Sequence, residues 1–400
     1  CFANLHLSLD CALCALCNLC LTRIQKFSDS PPLRLALRCR RAYNNKGIYG
    51  ILPKDKMENE RREGPMNRIA YVLKRIGKMD FSRMRDTARM LHKKTGKSTA
   101  WLLMDMARCA AKYNAGYMDY KIAEMYRLTD AQRATVITRG ISNEIVRRMN
   151  DKAYWHFFDD KTQFNEKFAR WIGRDWLKAD EGLTLERLSA FLEGKDAIMF
   201  KPLEGSSGQG IVKYAAADWA DLPAFLRRVQ ESGPAILEEV VKQHPDMARL
   251  CPTSVNTVRI ATLLGDKKEG IVYAFLRIGN GRVMDNVDCG GMAARVDLAS
   301  GKLLTVGADK QGNTYEKHPI TGTPIIGFQV PYFEEAKQMC LEAMRVVPQV
   351  RFVAWDVAIT PEGPRFIEGN SFPSHAVPQF AAHYPDGIGI LPEFKKFLTL

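Results

Sequence analysis

The chain has 400 residues, of which 46% are hydrophobic and 26% charged. That allows roughly two to three domains with ordinary cores and excludes a disordered, collagen-like or disulfide-stapled chain. Lys and Arg number 58 against 45 Asp and Glu, a formal charge of +13, which favours phosphate-rich ligands, anionic polymers or anionic membrane surfaces without naming a substrate. The apolar run from Cys11 to Leu21 is shorter than the about 18 residues a membrane span needs and has no basic leader, so the default compartment is the cytoplasm.

Residues 1–65 read as an atypical extension, disordered or non-native, with a Pro31-Pro32 break and basic Arg34, Arg38, Arg40 and Arg41. Cys11, Cys14, Cys17 and Cys20 have spacing close to iron–sulfur and zinc ligation. Their spacers, Ala-Leu, Ala-Leu and Asn-Leu, lack the Gly, Pro or polar residues that wrap a backbone around metal, which argues against a cluster. Cys109, Cys251, Cys289 and Cys340 read as small buried hydrophobes.

Residues 66–150 read as a helical lobe. Ile69, Val72, Leu73 and Ile76 recur at helical spacing, and Trp101 to Tyr113 do likewise. Asp151 to Lys178 continues as an aromatic-rich helix through Phe157, Phe158, Phe164, Phe168 and Trp171, and Thr184 caps another over Leu185 to Phe191. Beyond it the period changes. Ala197–Phe200, Ile211–Tyr214, Ala235–Leu237, Val258–Leu264, Ile271–Ile278, Phe352–Ile359 and Arg365–Ile367 are strand-like runs, with a helix over Pro331–Met344. Residues 151–400 are therefore expected to be a mixed α+β unit.

Two stretches carry chemistry. Lys201-Pro202-Leu203-Glu204-Gly205-Ser206-Ser207-Gly208-Gln209-Gly210 lies between two strands, and a loop with so little side-chain bulk lets amide N–H groups cradle phosphate oxygens beside a lysine. It lacks the Lys-Ser/Thr of a Walker loop and the glycine order of a dinucleotide fingerprint; a flexible hairpin turn is the competing reading. The second stretch runs from Trp355 to Asn370, two strand runs around a Thr360–Pro364 turn. Pairing Ile359 with Arg365 sets Asp356 opposite Glu368, with Asn370 on the face of Glu368. Facing carboxylates repel unless a cation lies between them, and an all-oxygen ligand set suits Mg²⁺ or Mn²⁺. A phosphate cradle and a paired-carboxylate hairpin together imply Mg-ATP.

From Asp151 to Pro378 the sequence resembles the ATP-grasp superfamily: Lys201 to Gly210, an acidic hinge strand Ile236-Leu237-Glu238-Glu239-Val240, then Asp356 and Glu368-x-Asn370. Asn256-Thr257-Val258-Arg259 and Asp285-Asn286 before Gly290-Gly291 are similar to its amino-acid ligase branch, although Asp288-Cys289 stands where those ligases carry a basic residue. Ala115-Gly116-Tyr117-Met118-Asp119-Tyr120, Asn150-Asp151-Lys152 and Asp160-Lys161 resemble, more narrowly, the sugar-transfer-associated ATP-grasp proteins of cell-surface polysaccharide gene sets. The resemblance implies two α+β lobes holding ATP behind a helical lobe, and a carboxylate–amine or related ligase acting through an acylphosphate. Lys161, Lys201, Gly205, Ser206, Ser207, Gly208 and Gly210 would hold phosphates, and Glu238 and Val240 the adenine. Asp356, Glu368 and Asn370 would hold Mg²⁺, while Arg259 and Asn286 would serve the transferring group. Asp285, Asp288, Arg295 and His375 are candidates for acceptor recognition.

The expected partners are a small-molecule or glycan-linked carboxylate and a nucleophilic acceptor, with peripheral contact to membrane-bound polysaccharide assembly proteins. Two other readings stand beside the ligase: a kinase phosphorylating a sugar or other hydroxyl, and a non-enzymatic polyanion binder. Nucleic acid is disfavoured, because basic residues spread along helices such as Arg68 to Arg89 and no recognition motif is present.

Overall fold

The structure, a computed structural model, describes residues 80–203 and 210–400, and Met79–Leu400 form one compact unit. The expectations for the cysteine cluster, for the extension and for the helix starting near Arg68 lie outside the described residues.

Helix α1 (Phe81–Thr95) starts where the Asp80 carboxylate accepts the Arg83 N–H at 3.0 Å, and α2 (Thr99–Tyr113) where Ser98 accepts that of Trp101 at 3.2 Å. Such caps satisfy amides that have no partner inside the helix. Their apolar faces close over α3 (Tyr117–Ile122) around Leu91, Leu102, Met106 and Tyr120. Inside this lobe Arg133 grips both Asp105 oxygens, at 2.8 and 2.7 Å, and the Tyr120 hydroxyl donates to the same carboxylate at 2.7 Å. Helix α4 (Arg139–Met149) carries the chain toward the sheets.

The aromatic stretch is not one helix. It breaks into short turns around α5 (Lys161–Lys167) and ends in a strand, β1 (Trp176–Ala179), because Asp160 caps a new helix by accepting the Thr162 and Gln163 amides. Helix α6 (Leu185–Leu192) has the expected Thr184 cap. Strands β1, β2 (Ala197–Pro202), β3 (Val212–Ala215) and β4 (Ala235–Glu239) form an antiparallel sheet in the order β1-β4-β2-β3. Ile198, Phe200 and Leu237 pack against α6 and α7 (Leu222–Glu231). By strand alternation Lys201 and Glu238 take the opposite face.

The larger sheet is β11-β10-β5-β6-β7-β8-β9, from β5 (Thr257–Leu264), β6 (Glu269–Ile278), β7 (Met292–Arg295), β8 (Gly307–Ala308), β9 (Thr314–Tyr315), β10 (Phe352–Thr360) and β11 (Gly363–Asn370). One face, with Val258, Ile260, Val353 and Trp355, packs on helix α8 (Phe333–Ala343) and on Phe158, Phe164 and Phe168. The other face buries Ala261, Leu263, Tyr273, Phe275 and Ala354 against Ile145 and Met149 of α4 and the carboxy-terminal Phe394. Covering both faces explains why β10 reads as an almost continuous apolar run. Asp356 is the one charged residue within it. Among the described residues, no helix is long and apolar enough to cross a membrane.

Candidate functional site

Register places the hairpin acids. At the turn Thr360 pairs with Gly363 and Ile359 with Pro364, so the turn is tighter than the expected five residues and the pairing starts one residue out. A β-bulge between Asp356 and Val357 takes up the difference, and Asp356 faces Glu368 after all. Bulges of this kind re-aim side chains next to functional sites. Across the sheet the row continues as Glu368, Asp356, Arg259, Phe275 and Arg295 on β11, β10, β5, β6 and β7.

A side-chain cation pairs with Asp356 and reaches toward Glu368. Arg259 Nε donates to Asp356 Oδ1 at 2.5 Å and Nη2 to Oδ2 at 2.5 Å, while the same Nη2 lies 3.8 Å from Glu368 Oε1. Arg277 Nη1 adds a third bond to Oδ2 at 2.5 Å, and its Nη2 lies 2.8 Å from Asp285 Oδ1. Asp285 in turn accepts from the Thr257 amide at 2.9 Å and from the Thr257 hydroxyl at 2.5 Å. Asp356 is 1% exposed. Burial works against its charge, but the two guanidinium groups hold its carboxyl well below the usual range. Glu368 differs, with 47% of its side chain open. Partial burial and then the neighbouring Asp356 raise its pKa.

The smaller sheet supplies a second charged group. Glu238, 3% exposed, accepts from Arg174 at 2.9 Å and Asn165 at 3.0 Å on Oε1 and pairs with Lys201 through Oε2. Burial opposes its ionisation, yet Lys201 and Arg174 keep its carboxyl well below the usual range. Its carboxylate is thus fully engaged, and any adenine contact falls to the adjoining backbone, where Val240 follows the end of β4. Arg174 Nη1 also donates to the Phe366 carbonyl on β11 at 2.6 Å, tying the two sheets together. Lys161, the first residue of α5, donates to the Pro202 carbonyl at 2.9 Å and lies within electrostatic reach of Glu368, Lys201 and Glu238. Burial lowers its pKa, and Lys201 adds to the effect.

Gly210 closes the Gly/Ser loop at φ +75°, where a Cβ would stand 2.9 Å from Pro202 Cγ, so glycine is required there. Gly205, Ser206, Ser207 and Gly208 lie outside the described residues. Asn286 opens a short turn and accepts the Asp288 amide at 3.1 Å. Asn370 donates to the Ala354 carbonyl at 3.3 Å.

All four acceptor candidates have structural partners, Asp285 those given above. His375 Nε2 is 2.8 Å from Asp119 Oδ1 in the helical lobe, Arg295 stacks on Tyr384 rather than pairing with Asp297 or Asp285, and Asp288 accepts from Lys310 at 3.1 Å. Sequence reasoning passed over Arg277, Arg174 and Asn165. Arg277 had a signal, since an arginine within the apolar run Ile271–Ile278 demands a buried carboxylate.

Residues 220–396 match the family described as sugar-transfer associated ATP-grasp. Over that span the chain is similar to this ATP-grasp family. The matched span holds Glu238, Arg259, Asn286, Asp356, Glu368 and Asn370; Lys161, Lys201 and the Gly/Ser loop precede it. No curated protein matches the chain. Among solved structures it is similar to the ATP-grasp ligase PsnB complexed with a phosphomimetic variant of its minimal precursor, Mg and ADP. There identity is 13%, coverage 56% of this chain and 53% of that one, and the TM-score 0.34. For D-cycloserine synthetase DcsG identity is 10%, coverage 69% and 80%, and the TM-score 0.38. For the D-alanine-D-alanine ligase of Coxiella burnetii identity is 9%, coverage 70% and 64%, and the TM-score 0.33. The chain thus spans about half the length of PsnB.

Proposed function

We propose that this protein is a Mg-ATP-dependent ligase of the ATP-grasp kind joining a carboxylate to an amine or related nucleophile, in cell-surface polysaccharide biosynthesis or modification. The observation that carries the reading is the row Glu368, Asp356, Arg259, set within electrostatic reach of a second group that holds Lys161, Lys201 and Glu238. The donor set fits magnesium: Glu368 opens to solvent beside a like charge, Asp356 is held ionised next to it, and Asn370 adds an amide oxygen. Magnesium bound there would withdraw charge from the phosphate oxygens it joins.

Lys161 and Lys201 would neutralise the nucleotide phosphates on leaving the Pro202 carbonyl and Glu238. Arg259 then faces the terminal phosphoryl group, and Asn286 orients it. A carboxylate oxygen of the donor attacks the γ-phosphorus and ADP departs. The acceptor nucleophile next attacks the acyl carbon, phosphate leaves, and the nucleophile's proton is lost to solvent or a neighbouring base. Positioning and electrostatics carry most of such a reaction. A cytoplasmic setting beside membrane-bound assembly proteins belongs to the same reading.

The test measures ADP and phosphate release in Mg²⁺-ATP across amino acids, uronic acids and amino sugars, with Glu368→Gln as control. Carboxylate-dependent release of both products, absent in the variant, supports the ligase. A phosphorylated product without free phosphate would establish a kinase instead.

A further inference from the structure

The two arginines on Asp356 are held differently. Arg277 is 7% exposed and clamped at both ends, by Asp356 and by Asp285, which the Thr257 amide and hydroxyl anchor in turn. Arg259 has a side chain 14% exposed, and its partners are the two acids proposed to receive the metal. Its guanidinium stands on both Asp356 oxygens and beside Glu368. A divalent cation bridging those acids would need the same space and the same lone pairs. Removing Arg259 would still leave Asp356 paired with Arg277, so the carboxylate is balanced in either arrangement.

The protein's own ligands also fall short of a complete shell. Among the described residues no three His, Cys, Asp or Glu side chains converge as metal ligands. Two carboxylates and an amide leave magnesium dependent on phosphate oxygens or water. The incoming nucleotide brings both what the metal lacks and what the arginine prefers, since a guanidinium pairs with phosphate as readily as with carboxylate.

We infer that Arg259 is an internal counter-ion that occupies the metal position at Asp356 and Glu368 until nucleotide phosphate draws it away, so that divalent cation and nucleotide enter together. Arg277 stays in place and keeps Asp356 ionised and aimed. This rests on the ATP-site reading above. It adds that the ligand-free site rejects metal actively rather than merely lacking ligands.

Metal binding without nucleotide tests it. Mn²⁺ binding to the full chain is followed by the loss of the free-ion electron paramagnetic resonance signal, for wild type, Arg259→Met and Lys201→Met. Circular dichroism confirms that each is folded. Lys201→Met removes one positive charge from the same cleft but from Glu238 rather than Asp356, which controls for general electrostatics. The expected result is at least tenfold tighter Mn²⁺ binding in Arg259→Met and less than a twofold change in Lys201→Met. Arg259→Gln, which also removes the charge, should repeat the gain and serves if the Met variant fails to fold. Equal gains in Arg259→Met and Lys201→Met, or no gain in either Arg259 variant, would overturn the inference. A fluorescent ATP analogue titrated with Mg²⁺ into wild type reports separately on the site. Binding there together with no gain in Arg259→Met defeats the counter-ion role alone, whereas no binding of the analogue defeats the ATP-site reading on which it stands.

Discussion

Replacing the two hairpin acids one at a time should separate stability from function, because the structure treats them so differently. Asp356 is 1% exposed and carries three charge-assisted hydrogen bonds from two arginines. Neutralising it in Asp356→Asn leaves two buried guanidinium groups short of their counter-charge, and breaking a buried pair in this way costs about 3–5 kcal/mol. Glu368 is 47% open and sits against a like charge, with Arg259 Nη2 at 3.8 Å. Relief of the repulsion across the strand pair amounts to about 0.2–1 kcal/mol, and the loss of a long, partly solvated ion pair is of the same size and opposite sign. Glu368→Gln should therefore unfold in urea within about 1 kcal/mol of wild type. Both variants should lose Mg²⁺-dependent binding of an ATP analogue. An Asp356→Asn protein as stable as wild type would refute the buried-network reading, and a Glu368→Gln protein that keeps full Mg²⁺-dependent nucleotide affinity would refute the assignment of the site.

Lys161→Met should weaken nucleotide binding by about ten- to hundredfold, as expected for a charge-assisted hydrogen bond of about 1.5–3 kcal/mol, with little change in unfolding midpoint; calorimetric titration would measure it. Asp356 and Glu238 have folded pKa values held below those of the unfolded chain. The stability they contribute is therefore complete above about pH 4 and disappears as pH falls through the lower folded values. Glu368, with a raised pKa, acts in the opposite sense and loses its contribution as pH rises. Urea midpoints should drop as the pH is taken from about 4 down to about 2, and an unchanged midpoint over that window would contradict the network. In the helical lobe, Asp105→Asn should destabilise by about 3–5 kcal/mol by leaving Arg133 buried without its counter-charge. Nucleotide affinity at the remote cleft should survive, a pairing of results that thermal melts and titration can check together.

Much of the fold was legible because it follows from local pattern. The strand runs from Ala197 to Ile367 and the helix over Pro331–Met344 were bounded by turn residues and came within a few residues of the observed elements. The aromatic stretch was not, since Phe158, Phe164 and Phe168 converge on Trp355 from short segments, and aromatic spacing cannot tell a long helix from several turns facing one core. At the candidate site the acids of the hairpin were readable, for strand alternation puts opposed residues on one face. Their counter-ions were not, because the register between β10, β5 and β6 is a contact between strands distant in the chain.

The sequence by itself determined the side chains that the candidate site draws on: two lysines, a Gly/Ser loop, and acids spaced across a hairpin. It also determined the apolar periodicity that makes two sheets and a helical lobe. Only the tertiary structure decided that a bulge restores the Asp356–Glu368 pairing, that Glu238 is spent on Arg174, Asn165 and Lys201, and that Arg259 pairs with Asp356 beside Glu368. The reason is physical. A buried charge takes whichever opposite charge packing brings within reach, and packing is a property of the folded chain as a whole.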